Sequence, residues 1–518
     1  MRHKCWLVRG RTVARAVLLG FFGFALALVG ENALGGKKND TLVWLSEFEP
    51  PTYEFYAQQQ RPGLIIARHI WDTLVDSDPV TGEIRPHLAE SITISSPTTI
   101  EVKLRQGIKF HNGDPFTADD VVYTINWQND SNNKSVRTRS RTAWIKQAEK
   151  VDMYSVRLHL HEPYAPALAI LASYLPIYPA AYTKAQGSEG MGRAPVGTGP
   201  YRVTEVSRGK QIVLERNKDY FGGARPAPKI GKIIVRFVPE YGTQIAELMA
   251  GNADLIWRLP KDQAERLKGR RGINVVLGDS MRFGFLQFDN TGRTGAAGDP
   301  VRKVEVRQAI AHAINRKAIV TNLLGGGTVV DLSCYPSQVG CASKTALRFE
   351  YSPEKAKQLL VAAGYPNGFD IDMFGAAERQ LAEAIMGDLA KVGIRVRLQW
   401  LQPGPLVDKV RKGEVPIAFR NWESGSVPDV AASTGRFFDK GPDDTARDDR
   451  VSELLKRAEA EFDRNNRLAL YDEAHQIINK NAYWMPLWSY VLFYVMSSEL
   501  QYQPTPDAIL HFTRMSWK

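Results

Sequence analysis

The stretch that decides the fold reads PVGTGPYRV at 195–203, followed by KQIVLERNKDYFGG at 210–223. Gly197 and Gly199 bracket Thr198 in the manner of a phosphate-binding loop. Such a loop must open a helix, because the free N–H groups of a helix start are what meet the anion. Here Pro200 follows at once, and Tyr201, Val203 and Val206 alternate as in a strand. A second strand is predicted at 211–215 and a turn at 217–223. The Gly-rich turn feeds a strand pair, and the phosphate reading fails.

Working outward, 41–45 reads as a short strand that Pro50 and Pro51 keep from continuing. Helical spacing covers 65–74, and 99–104 alternates as a strand. Thr117 and Asp120 form a capping box at the head of a helix running to Trp127. His159 and His161 share one face of a strand, without an evident acidic or Cys partner for a metal. Strands follow at 233–238 and 254–257, with a helix at 243–250 between them. Extended segments come next at 273–277 and 283–288. Beyond these, helix and strand alternate: helices at 306–315, 316–324, 376–392, 451–461 and 467–480, and strands at 394–400 and 483–495. Ser352 caps a further helix that has Pro353 at its first position and Gly364 after its end. This alternation predicts an α/β protein whose sheet is covered by helices.

Four passages in order, 88–127, 195–223, 301–319 and 351–370, resemble the solute-binding proteins of bacterial ABC importers. The family includes dipeptide-, oligopeptide- and nickel-binding proteins (extracellular solute-binding protein family 5). The resemblance covers nearly all of the chain after about residue 40. It implies a two-lobed periplasmic-binding-protein-like fold with an extra subdomain in the first lobe and two hinge strands. The expected limits are a signal peptide at 1–35, lobe one at 36–283 with a subdomain inserted at about 53–190, lobe two at 284–482, and a return to lobe one at 483–518. Two lobes close around a solute, and a membrane permease reads the closed shape.

The bulk numbers agree. At 518 residues the chain is too long for one ordinary core. A hydrophobic content of 44% with 24% charged residues is that of a soluble globular protein. Of the +11 net charge, the first 35 residues contribute +4, and the rest is spread without a nucleic-acid-binding arm. The nearest thing to a basic patch is Arg137, Arg139 and Arg141, a solvated loop or the seat of an anionic partner. Arg2 to Arg15 is basic, and the 15 uncharged residues that follow are too few for a spanning helix but suit a secretory signal, cleaved after Gly35 or retained as an anchor. Cys5 precedes the apolar run, so no lipid anchor is indicated. Export into the periplasm follows, where Cys334 and Cys341 could form a disulfide.

No nucleophile elbow, His-Glu-x-x-His or Cys-x-x-Cys occurs, and adjacent acids such as Asp119-Asp120, Asp443-Asp444 and Asp448-Asp449 read as solvated. No catalytic residue, metal or cofactor is expected. The resemblance places the site between the lobes. From lobe one it brings the turn Ser46, Glu47 and Phe48; from lobe two, the loop that holds Arg420, Trp422, Glu423 and Asp429. In the family a Trp of this loop packs on the ligand, and in the peptide binders an Asp about three residues later holds the α-ammonium. Here Gly425 stands at that place, with Glu423 and Asp429 as the nearby acids. A buried ammonium is costly without a carboxylate, so a free peptide amino terminus is put in question. Trp422 reads as ligand contact or core packing, Glu47 as ligand contact or solvated turn. Arg420 could meet a ligand carboxylate or Glu423. The expectation is a monomeric binding protein for a peptide or similar small polar solute. The rivals are an opine, a glycan, a modified peptide or a metal chelate on the same fold, then a hydrolase, then a signalling module.

Overall fold

The computed structural model describes residues 35–518 apart from 59 and 135, so the leader expected at 1–35 falls almost wholly outside the described residues. The Gly-Thr-Gly turn shows why its glycines are needed. It runs against the end of the helix Arg61–Ile70, where the Gly199 N–H donates to the Ile70 carbonyl at 2.9 Å. A Cβ on Gly197 would lie 2.0 Å from that carbonyl, and one on Gly199 would lie 2.5 Å from that of His69. Thr198 is buried between them, its hydroxyl on the Asp72 carboxylate at 3.0 Å. Asp72 in turn accepts from Arg225 at 2.9 Å and pairs with His87 at 2.9 Å, a buried network that fixes lobe one.

The hairpin that follows, Tyr201–Ser207 and Gln211–Arg216, forms the edge of a ten-stranded sheet. Next come Lys232–Phe237, Thr41–Ser46 and Leu255–Trp257. Two long strands, Trp484–Ser497 and Ile273–Phe288, then carry the sheet into the second lobe. Ile417–Trp422, Phe369–Gly375 and Ile394–Trp400 complete it. The two extended segments expected at 273–277 and 283–288 are thus one strand. Its pairing with Trp484–Ser497 slips between Asp279 and Phe283.

A separate antiparallel sheet of four strands, with Thr99–Leu104 and Ser155–Leu160 at its centre, is covered by the helix Ala118–Asn129. That helix has the capping box of Thr117 and Asp120, and its Val121 and Ile125 are buried with Ile145, Val156 and Leu158. In the second lobe Ile310, Leu360, Ile385 and Leu389 cover the sheet through Ile371, Met373 and Ile417. Among the described residues no helix is long and apolar enough to cross a membrane. Cys334 and Cys341 are joined in a disulfide.

Further sequence readings change. His159 does have an acidic partner, since its Nε2 lies 2.7 Å from Glu149 on the neighbouring strand. Even so, no group of three or more potential ligands gathers for a metal among the described residues. Arg139 is not a solvated charge: its guanidinium donates to the carbonyls of Gln128, Asp130 and Asn133. Asp443 and Asp444 are buried, Asp443 on two arginines and Asp444 on backbone N–H groups of Lys440, Ala446 and Arg447.

Candidate functional site

Strand Ile417–Trp422 lies between Ile273–Phe288 and Phe369–Gly375, so the loop after it leaves the second lobe on the side that meets the first. Trp422 is half-buried there and tightly held. Its indole N–H donates to the Ala432 carbonyl at 2.8 Å, its ring meets Phe437 edge-on at 5.1 Å, and Arg436 lies 5.2 Å over it. Beside it is a cavity of about 460 Å³. Lobe two lines the cavity with Trp422, Val427 and Arg436, and lobe one with Arg141, Trp144 and Tyr164. Trp144 and Tyr164 stack at 5.2 Å, and Arg141 lies 3.9 Å over the Tyr174 ring. Aromatic walls with two guanidiniums and no lining carboxylate make this a place to hold a planar or apolar body with a polar end.

Glu423 points elsewhere. Its carboxylate is 2.7 Å from Arg61 of lobe one and 4.0 Å from Arg282 on the long strand. Burial works against its charge, but Arg61, Arg258 and Arg282 outweigh that and hold the carboxyl down at about 2. The second Arg61 nitrogen donates to the Ser426 hydroxyl at 2.7 Å, which itself donates to the Asp507 carbonyl. The pair is a latch across the lobes. Asp429 is buried on Arg467 at 2.7 Å and caps the short turn Val430–Ala432 by accepting from the Ala431 N–H. That is a structural use of the carboxylate. It also lines a second cavity between the lobes, of about 360 Å³.

Arg420 sits behind Trp422. Its guanidinium donates to Gln287 at 2.8 Å and lies 5.5 Å from the Phe437 ring centre. Burial, and then the neighbouring Arg411 and Arg436 against the opposing pull of Asp443, bring it down to about 10. In the first lobe, the Ser46 hydroxyl donates to the Phe48 carbonyl at 3.0 Å, and the Tyr241 hydroxyl donates to Glu47. This turn does not line the 460 Å³ cavity.

Gly425 is the most constrained position of the loop. It has φ +62°, and a Cβ there would lie 1.3 Å from the Tyr174 hydroxyl oxygen, which donates to the Gly425 carbonyl at 3.1 Å. No side chain fits while Tyr174 stands where it does. The site therefore holds more than the sequence reading assigned to it. Arg141 is the last arginine of the basic patch, whereas Tyr164, Tyr174, Arg61 and Arg436 carry no local signal.

The cavity thus lies between the loop after Ile417–Trp422 and the segments that flank the four-stranded sheet. The chain belongs to the bacterial extracellular solute-binding proteins, family 5 (middle region), whose profile matches residues 83–445. It is 28% identical over 513 residues to heme-binding protein A of Haemophilus influenzae, covering 89% of each chain. It is 26% identical over 547 residues to the dipeptide-binding protein of Escherichia coli, covering 96% of this chain and 98% of that one. The solved structure of HbpA2 from Haemophilus parasuis superposes with a TM-score of 0.80 at 26% identity, over 92% of this chain and all of the other.

Proposed function

We propose that this chain is the solute-capturing component of an ABC importer, working in the periplasm as a monomer. It takes up a peptide or similar small polar solute between its lobes and presents the closed form to the permease subunits of the inner membrane. The observation that carries this is the 460 Å³ cavity with Trp422 on one wall and Trp144 and Tyr164 on the other. Both lobes must come together to complete it. Membership of the solute-binding family supports the same reading. Export depends on the leader at 1–35, and the lobes meet near 283 and 483.

Of the residues named from sequence, Trp422 is the ligand wall. Glu423 serves closure, Arg420 and Asp429 support the loop, and the turn Ser46, Glu47 and Phe48 stands outside the cavity lining. A non-peptide solute is favoured by one observation: Tyr174 fills the space that an acid at 425 would need. The test is small-angle scattering and thermal unfolding of the mature protein against dipeptides, tripeptides, sugars and opines. Compaction with a raised Tm for one class is the expected result. No response to any class overturns the reading.

A further inference from the structure

We propose that Asp254 is the seat of the mature amino terminus: once the leader is cut away between Gly35 and Gly36, the α-ammonium of Gly36 pairs with the buried Asp254 carboxylate. This rests on the reading of residues 1–35 as an export leader.

Asp254 stands just before the sheet strand Leu255–Trp257 and is tied twice to the neighbouring strand Thr41–Ser46. Its N–H donates to the Val43 carbonyl at 2.9 Å, and its carboxylate accepts from the Val43 N–H at 2.8 Å. The residue is 4% exposed, and the Gly36 N–H reaches the same carboxylate. Among the described residues no cation pairs with it. Lys37 and Lys38, next in the chain, are exposed, and Lys37 donates to the Lys518 carbonyl. Burial, against the two N–H donors and with Glu499 adding to it, pushes the carboxyl up to about 6. A buried carboxylate served only by neutral donors is costly, and one cation at Gly36 would relieve it.

The surroundings of Gly36 fit that cation. As a peptide nitrogen it has a single hydrogen, which also serves the Thr41 carbonyl at 2.7 Å. Two acceptors thus compete for one proton. An ammonium has three N–H donors and satisfies both. Glycine is required on each side of the bond. A Cβ on Gly35 would lie 2.5 Å from the Asp254 carboxylate and 2.8 Å from the Val43 side chain. Gly36 has φ +109° and ψ 170°, a conformation almost confined to glycine. Ala33 and Gly35 also place small residues where a leader peptidase reads them. Hydrolysis adds water across this bond. The oxygen goes to the Gly35 carbonyl carbon, which leaves with the leader as a carboxylate, and both hydrogens go to the Gly36 nitrogen, which becomes the ammonium. The first strand of lobe one is therefore locked to its neighbour by an ion pair only after processing.

The full chain is exported in a bacterial host and sequenced from its amino terminus, where Gly-Lys-Lys-Asn is expected first. The pKa of its α-amine is then read by competitive labelling with an amine reagent across pH. It should lie at least about one unit above the ordinary 7.7–8.0, so that the amine reacts about tenfold more slowly at pH 7 than a free one. Asp254→Asn should return it to that range. A chain that retains residues 33–35 puts a neutral peptide bond back at Gly36 and leaves Asp254 intact. Its folding constant in urea titrations should be about tenfold lower near pH 7. Because the amine is raised on folding, that advantage of the processed chain is full below about pH 8 and is lost as pH rises through the raised value. An exported protein that begins elsewhere overturns the seat and leaves the export reading standing. Failure of export overturns both. An α-amine of ordinary pKa at Gly36, or one unmoved by Asp254→Asn, overturns the ion pair alone. If Asp254→Asn does not fold, equal stability of the processed and retained chains overturns it in the same way.

Discussion

Removing the charge of Glu423 should open the protein. In Glu423→Gln, Arg61 keeps the Ser426 hydroxyl at 2.7 Å but loses the carboxylate at the same distance. Arg61 is 10% exposed and Glu423 is 35% exposed, so the pair lies between a surface bridge and a buried one. Breaking a fully buried pair costs about 3–5 kcal/mol, and an exposed pair contributes about 0–1. With half of the latch solvated, about 1–2 kcal/mol should be lost from the closed arrangement, or about five- to thirtyfold in the closed-to-open ratio. Solute affinity should fall by a similar factor, and the radius of gyration at subsaturating solute should rise. A double-mutant cycle of Glu423→Gln with Arg61→Met isolates the pair, and a coupling above about 0.5 kcal/mol is expected for residues in direct contact. Wild-type affinity in Glu423→Gln with a coupling near zero would refute the latch. The pH sign follows from the depressed carboxyl. The contribution is present above the ordinary Glu range and is lost as pH falls from there towards about 2, so neutral pH leaves the latch intact.

Glu459 behaves in the opposite sense: burial first, then Asp429, Asp439 and Glu162 against the pull of Arg467, raise its carboxyl to about 8 at a contact where its own carbonyl accepts from Ala165 across the lobes. Stability should therefore decline as pH rises from about 4.5 to about 8, by about 2 kcal/mol after allowance for its partial exposure, and Glu459→Gln should flatten that slope in urea titrations. Gly425→Ala should lower Tm by a few degrees through the clash with Tyr174, and adding Tyr174→Ala should recover part of the loss; full additivity of the two would remove the steric explanation. Replacing Cys334 and Cys341 by Ser opens a short loop across a sequence separation of 7 and should cost about 2 kcal/mol in chemical unfolding, with no change in solute affinity.

Local rules made much of the fold legible. Strand Ile394–Trp400 has the limits its alternation predicts, and the Thr117–Asp120 and Ser352 caps form as their residue types require. Legibility failed where a distant partner decides. The helix expected at 65–74 starts earlier, at Arg61, where Pro62 suits the first turn, and stops at Ile70. Beyond it Asp72 is drawn into the network with Arg225, Thr198 and His87. In the long strand Ile273–Phe288, Gly278–Arg282 breaks the apolar alternation, and only pairing with Trp484–Ser497 makes the strand continuous.

The candidate site divides in the same way. Trp422 could be found because a loop motif surrounds it. The partner that turns Glu423 away from the cavity, Arg61, lies 362 positions earlier, and the tyrosine that forbids a side chain at Gly425 lies 251 positions earlier. Neither relation leaves a trace in local spacing.

The claim that both lobes close on one solute is tested most directly by hydrogen exchange with and without the tightest-binding solute. Slower exchange is expected together in the segment 140–144 with 164–170 and in 422–436, which are the two walls of the cavity. Protection confined to one of these walls, or found at neither while the solute is bound, would contradict it.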